Sequence, residues 1–187
     1  MGRAASSYLT GIKRYAAAAL WNRLDPLLHG YYHDVSLKDQ RYALSTIAAV
    51  QALDPQAAQS YPIGAWILIQ NDRVEDGMAM MRRGVDANPR SGVVVASYSQ
   101  YLSIYGDDDD LAEAVRFGEL ALDPSMEWAD HTEQINSYAA IVHVFIEGGR
   151  EDLLEFAEAE IEYLESVPDD SEGSMAHDHD GDGVPDH

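Results

Sequence analysis

Small and large apolar residues alternate through the middle of the chain at the three- and four-residue spacings of packed helices. Tyr61, Ala65 and Leu68 form one set, and Gly77, Met81 and Gly84 the next. Val95, Ser99 and Leu102 follow, then Ala114, Gly118 and Ala121. Upstream, Ala43, Ile47 and Val50 extend the pattern; downstream, Tyr138, Ile141 and Phe145 lead into an amphipathic stretch from Glu151 to Leu164. Asp54-Pro55, Asn88-Pro89 and Asp123-Pro124 each close an apolar-periodic segment, where proline stops one helix and opens a turn. Pro55 to Pro89 is 34 residues, Pro89 to Pro124 is 35, and Val167-Pro168 follows 44 later. Gly106 and Gly148-Gly149 mark further turns, and the acidic run Asp107 to Asp110 complements the dipole of a helix beginning near Leu111. The pattern predicts an all-α chain built from stacked helix pairs.

A 34-residue period closed by a helix-stopping proline resembles the tetratricopeptide repeat family. With residues 58–91 taken as one unit, Tyr61, Ala65 and Leu68 stand at positions 4, 8 and 11 of the family pattern. Gly77, Met81, Gly84 and Pro89 stand at positions 20, 24, 27 and 32. Small residues at 8, 20 and 27 let helices approach closely, and large ones at 4, 11 and 24 fill the gaps. Two positions depart from the pattern. Gly64 stands where the family prefers leucine, which removes a contact, and Gly118 is small where the family is large, which thins another. The resemblance implies a short right-handed solenoid of antiparallel helix pairs over residues 20–167. Its units are 20–55 (degenerate), 56–89, 90–124 and 125–167 (enlarged), between a basic segment at 1–19 and an acidic tail at 168–187. The first helix of the degenerate unit is expected near Leu20 to Tyr32, with Pro26 inside it. Residues 125–134 read either as an extension of the preceding helix or as an added turn.

The resemblance also implies a concave groove, lined by the first helix of each unit, that binds an extended or helical peptide. Trp66, Gln70, Gln100 and His143 fall on its groove positions. Trp66 reads equally as an aromatic anchor or as a side chain packed between neighbouring helices. One subfamily clamps a terminal carboxylate with lysine, arginine and asparagine; no assigned groove position here carries Lys or Arg, so a neutral, hydrophobic or basic partner is expected.

Charge sharpens this. The chain carries a net charge of −21, with six Lys/Arg and three Asp/Glu in residues 1–50 against six and thirty in residues 51–187. Such a surface repels phosphate backbones, and nucleic acid is not an expected partner. The mildly basic N-terminal region suits an anionic membrane, an acidic partner or a plain solvated helix. No apolar run approaches the length of a transmembrane helix, so membrane association would be peripheral. The absence of cysteine excludes disulfides and thiol chemistry. No phosphate-binding glycine loop, nucleophile elbow or zinc-protease motif occurs, and an enzyme is not expected. His29 and His33, four apart, are the nearest approach to a metal pair, but Gly30 and Pro26 weaken a helix there.

The tail changes character. Asp178, Asp180, Asp182 and Asp186 stand at positions 1, 3, 5 and 9 of a calcium-loop order, with Gly183 at position 6. The segment resembles the start of an EF-hand or a thrombospondin type 3 repeat, but the bidentate acid of position 12 lies beyond His187. Weak calcium binding, a solvated acidic tail, and transition-metal capture through His177, His179 and His187 are the readings of this segment. No cofactor is required by any of them. Calcium loops of this kind are used where calcium is abundant, which tilts localisation towards the cell envelope or exterior. The expected function is a scaffold or adaptor holding a protein or peptide in its groove, as an accessory subunit of an envelope-associated assembly. The alternative is a calcium- or metal-responsive protein acting through the tail.

Overall fold

The computed structural model describes residues 2–24 and 37–167, and among these the chain is all-α. Among the described residues there are eight helices: α1 (Gly2–Trp21), α2 (Leu37–Leu53), α3 (Ser60–Gln70), α4 (Val74–Ala87), α5 (Gly92–Tyr105), α6 (Leu111–Ala121), α7 (His131–Glu147) and α8 (Glu151–Ser166). The acidic run lies where the sequence places it, Asp108–Asp110 forming a 3-10 turn directly before α6. Neighbours in sequence pack on each other, and α5 also packs against α3 and α7.

α3 is apolar nearly all round because most of it is covered, with Ser60, Tyr61, Ala65, Ile67, Leu68 and Ile69 among its buried residues. Pro62 is tolerated because it stands in the first turn, where its missing N–H has no helical acceptor. α4 is amphipathic: Gly77, Met80, Met81 and Gly84 face inward, and Glu75 and Asp76 sit at the positive end of its dipole. Gly84 shows why this face must be small, since a Cβ there would stand 2.8 Å from the Tyr61 ring.

Both departures from the repeat pattern are filled from elsewhere. The space over Gly64 is taken by Met80, whose Sδ lies 2.6 Å from where a Cβ would be, and by Ile47. The space over Gly118 is taken by Phe145 of α7, with Cε1 at 2.8 Å from the same construction. The contacts expected to be missing or thin are therefore made by residues of neighbouring helices.

The main core runs from Tyr61 to Leu164. A smaller cluster of Leu24, Ala43, Ile47 and Ile67 lies beside it, and Leu44 and Trp66 pack against both. α1 runs without interruption across residue 19, where a boundary was drawn, and it packs on α2. Most of the stretch from Leu20 to Tyr32 lies outside the described residues. Residues 122–130 form an added turn rather than a helix extension, because a parallel bridge pairs Ser91 with Glu127 before α7 begins.

The inter-helix turns are tied to each other. Buried Asn88 donates its side-chain amide to Pro55 O (3.1 Å) and Gly84 O (3.2 Å). Gly92 N–H donates to Glu127 O (3.0 Å), and Glu127 N–H donates back to Arg90 O (2.7 Å). Backbone groups that leave a helix at one turn thus find partners in the next, as buried peptide groups must.

Candidate binding clefts

The first turns of α3, α5 and α7 converge, and two clefts meet there. The larger, about 830 Å³, lies between α1, the α2–α3 and α4–α5 turns, and the segment before α7. Trp21 and Trp128 both line it, as do Ala17, Val50 and Val93. The smaller, about 450 Å³, runs over α3, α5 and α7, past Pro62, Ile63, Ser97, Gln100, Asn136 and Ala140. Gln59, Val93 and Glu133 line both, so the two hollows adjoin.

The shared edge is a hydrogen-bonded post. Asp130 caps α7 by accepting Glu133 N–H (2.7 Å). Glu133 in turn accepts Ala129 N–H (2.8 Å) and the side-chain amide of Gln59 (3.1 Å), reaching from α7 to α3. The sequence Asp-x-x-Glu ahead of an apolar-periodic run signals a helix start, although here Glu133 accepts from Ala129, one residue before the capping Asp130. At the far end of the same face Ser103 donates to Glu147, again joining α5 to α7.

Charges around the larger cleft are mutually engaged. Arg14 donates to Gln56 and lies 3.8 Å from the Asp54 carboxylate. Arg90 pairs with Glu127 at 3.1 Å and donates to Ser125 O. Beside these pairs the cleft offers the apolar and aromatic surface of Ala17, Trp21, Val50, Val93 and Trp128, and the polar side chains of Gln59 and Glu133. Trp128 is held against Gly92 and meets Tyr138 edge-on, with ring centroids 5.4 Å apart. Burial pushes the Tyr138 hydroxyl above its ordinary range, against the opposing effect of its bond from Gln134. The smaller cleft is lined by no Lys, Arg or His; its charged lining residues are Asp130 and Glu133.

The four groove residues picked from the sequence lie on α3, α5 and α7. Gln100 lines the smaller cleft. Trp66 is half-buried against both apolar clusters. Gln70 is exposed in the last turn of α3, and His143 is exposed on α7, 3.1 Å from Glu147. Trp21, Trp128, Gln59 and Glu133 were not picked. Trp128 lies in an irregular segment between helices, outside the repeat positions that assign groove residues.

Among the described residues no group of three or more His, Cys, Asp or Glu is placed to hold a metal ion. Asp178, Asp180, Asp182 and Asp186, and likewise His29 and His33, lie outside those residues. No helix among them is long and apolar enough to cross a membrane. No family model matches the chain, and no curated protein matches it.

Proposed function

We propose that this chain is a tetratricopeptide-type solenoid that binds an extended segment of a partner protein, acting as an adaptor rather than as an enzyme. The order of helix contacts supports the solenoid reading: each helix packs on its sequence neighbours, and α5 packs on both α3 and α7. The observation that carries the binding reading is the pair of adjoining clefts, the smaller over α3, α5 and α7 and the larger lined by Trp21 and Trp128. Aromatic side chains exposed in concave surface are the usual anchors of such interfaces. The paired arginines and the carboxylates of Asp130 and Glu133 favour an apolar segment flanked by neutral or basic residues.

The test is affinity capture from the source organism, followed by binding measurements with the purified partner. Ser97→Arg and Ala140→Arg place bulk and charge on the cleft floor without touching the core. Each is expected to weaken binding by at least about tenfold, the scale of a lost interface anchor. Undiminished binding by both variants would overturn the reading. Deleting residues 169–187 is expected to leave capture unchanged; loss of capture would favour the tail as the working part.

A further inference from the structure

α8 carries two unlike edges. Ala157 and Leu164 are buried and mark its inward line. Glu158 and Glu165, each one residue later, stand about 100° to one side of that line. With Glu151, Glu155 and Glu162 they form an exposed acidic edge. Phe156 and Tyr163, each one residue earlier, stand about 100° to the other side, and they are 47% and 59% exposed. Phe156 lines a groove of about 500 Å³ between α6 and α8, with Leu120, Leu122 and Leu153 as its other apolar members. Leu120, on the α6 side, is 38% exposed. A single apolar residue on a surface is ordinary, whereas an apolar groove with an exposed aromatic ring at its lip marks a contact surface.

Charge selects the occupant. Glu119 and Asp123 also line the groove, and on α8 Asp152 and Glu160 fall within about 40° of Phe156. After Ile104 the sequence has two Lys/Arg, Arg116 and Arg150. Arg116 pairs with Glu113 and lies over the Phe117 ring, and Arg150 is shared by Asp152 and Glu119. The rim is therefore acidic, and an anionic partner would be repelled from it. Spacing selects the form. Phe156 and Tyr163 lie about 10 Å apart along α8, the interval at which a helix laid alongside repeats its own side chains. Same-face residues of a strand recur about every 7 Å and fall out of step with it. We infer that the α6–α8 groove docks a basic amphipathic helix of a partner protein, with apolar residues at i, i+4 and i+7 and lysines or arginines on either side.

Fluorescence anisotropy with a labelled synthetic helix tests this. The probe carries leucine at those positions and lysine beside them, and its control keeps the lysines but has serine for leucine. The full chain is expected to bind the probe saturably, one to one, and the control at least about tenfold more weakly. Phe156→Gln is expected to retain the parent's circular dichroism and to weaken binding by at least about tenfold; Leu120→Gln should act in the same direction. Asp123→Asn should weaken binding several-fold, while Glu158→Gln, which removes the same charge from the opposite edge of α8, should leave it unchanged. Ser97→Arg, in the smaller cleft, should also leave it unchanged. Absence of saturable binding, or equal binding by the parent and Phe156→Gln, overturns the inference. Equal losses in Asp123→Asn and Glu158→Gln overturn it too, since they would reduce the binding to general attraction by a chain of net charge −21. So does concentration-dependent self-association that Phe156→Gln abolishes, which would give the groove to a second copy.

Discussion

Trp128 rests on Gly92 so closely that a Cβ there would stand 2.3 Å from Cζ2 of the indole. The contact joins the start of α5 to the segment that leads into α7, and the Ser91–Glu127 bridge holds the two backbones in register beside it. Gly92→Ala must therefore push the indole out of the cleft wall or break the bridge. Overpacking of this kind costs about 1–3 kcal/mol. Thermal or urea unfolding should show that loss, and binding to a cleft partner should fall further than stability alone requires. A variant as stable as the parent would mean that the turn relaxes freely.

Asn88 ties two inter-helix turns together across 33 residues through Pro55 O. Both of its acceptors keep another donor when the amide is removed. Pro55 O also accepts the Tyr61 hydroxyl (2.9 Å), and Gly84 O also accepts the Asn88 backbone N–H (2.9 Å). Asn88→Ala should then cost only about 1–2 kcal/mol, the loss of net bonds without orphaned partners. Asn88→Asp sets a buried carboxylate against two carbonyl oxygens and should cost more at neutral pH. Urea midpoints of the two variants give the comparison, and the alanine variant should be the more stable of the two.

The helices from Ala43 to Leu122 were legible because helix contact there depends on side-chain size at fixed intervals, and size is written in the sequence. The fillers of Gly64 and Gly118 were not legible, since Met80 and Phe145 reach them from other helices and no local spacing announces that. α1 was not legible because its packing is confined to its last turns, at Ala17 and at Trp21 beside the Leu24–Ile47 cluster, while residues 9–15 are exposed, so no long apolar face announces it. The cleft was half legible: Gln100 follows from its position on a first helix. Trp128 owes its place to a backbone bridge between segments 36 residues apart in sequence, Ser91 and Glu127.

The two off-pattern glycines should respond differently to the same substitution. At Gly64 the nearest obstructing atom is the Met80 sulfur, on a flexible side chain that can turn aside, with Ile47 Cγ2 next at 3.0 Å. Gly64→Ala also gains about 1 kcal/mol of helix propensity, so its net effect should stay within about 1 kcal/mol of the parent. At Gly118 the obstruction is the ring of Phe145, a fully buried side chain, with the Ser99 hydroxyl 3.1 Å away on the other side. Gly118→Ala should cost about 1–3 kcal/mol, and Gly118→Leu, the size the repeat family favours, should cost more. Equal losses at both sites would show that Met80 is as rigidly held as Phe145.

Arg150 governs the turn between α7 and α8. It donates to both oxygens of Asp152 at 2.8 and 2.7 Å and lies 3.7 Å from Glu119 of α6. The hydrogen bond from Arg150 holds the Asp152 carboxyl well below its ordinary value, at about 2. Because the folded-state value is depressed, the stability it contributes is present above the unfolded-state pKa and is lost as pH falls through about 2. Asp152 is fully exposed, so the contribution is small and shrinks with added salt. Carbon-detected NMR titration should place the Asp152 midpoint near 2 in the parent. In Arg150→Ala it should return to the usual carboxylate range, with Glu119 left without its arginine. The same midpoint in both proteins would show that Arg150 does not hold the carboxylate in solution.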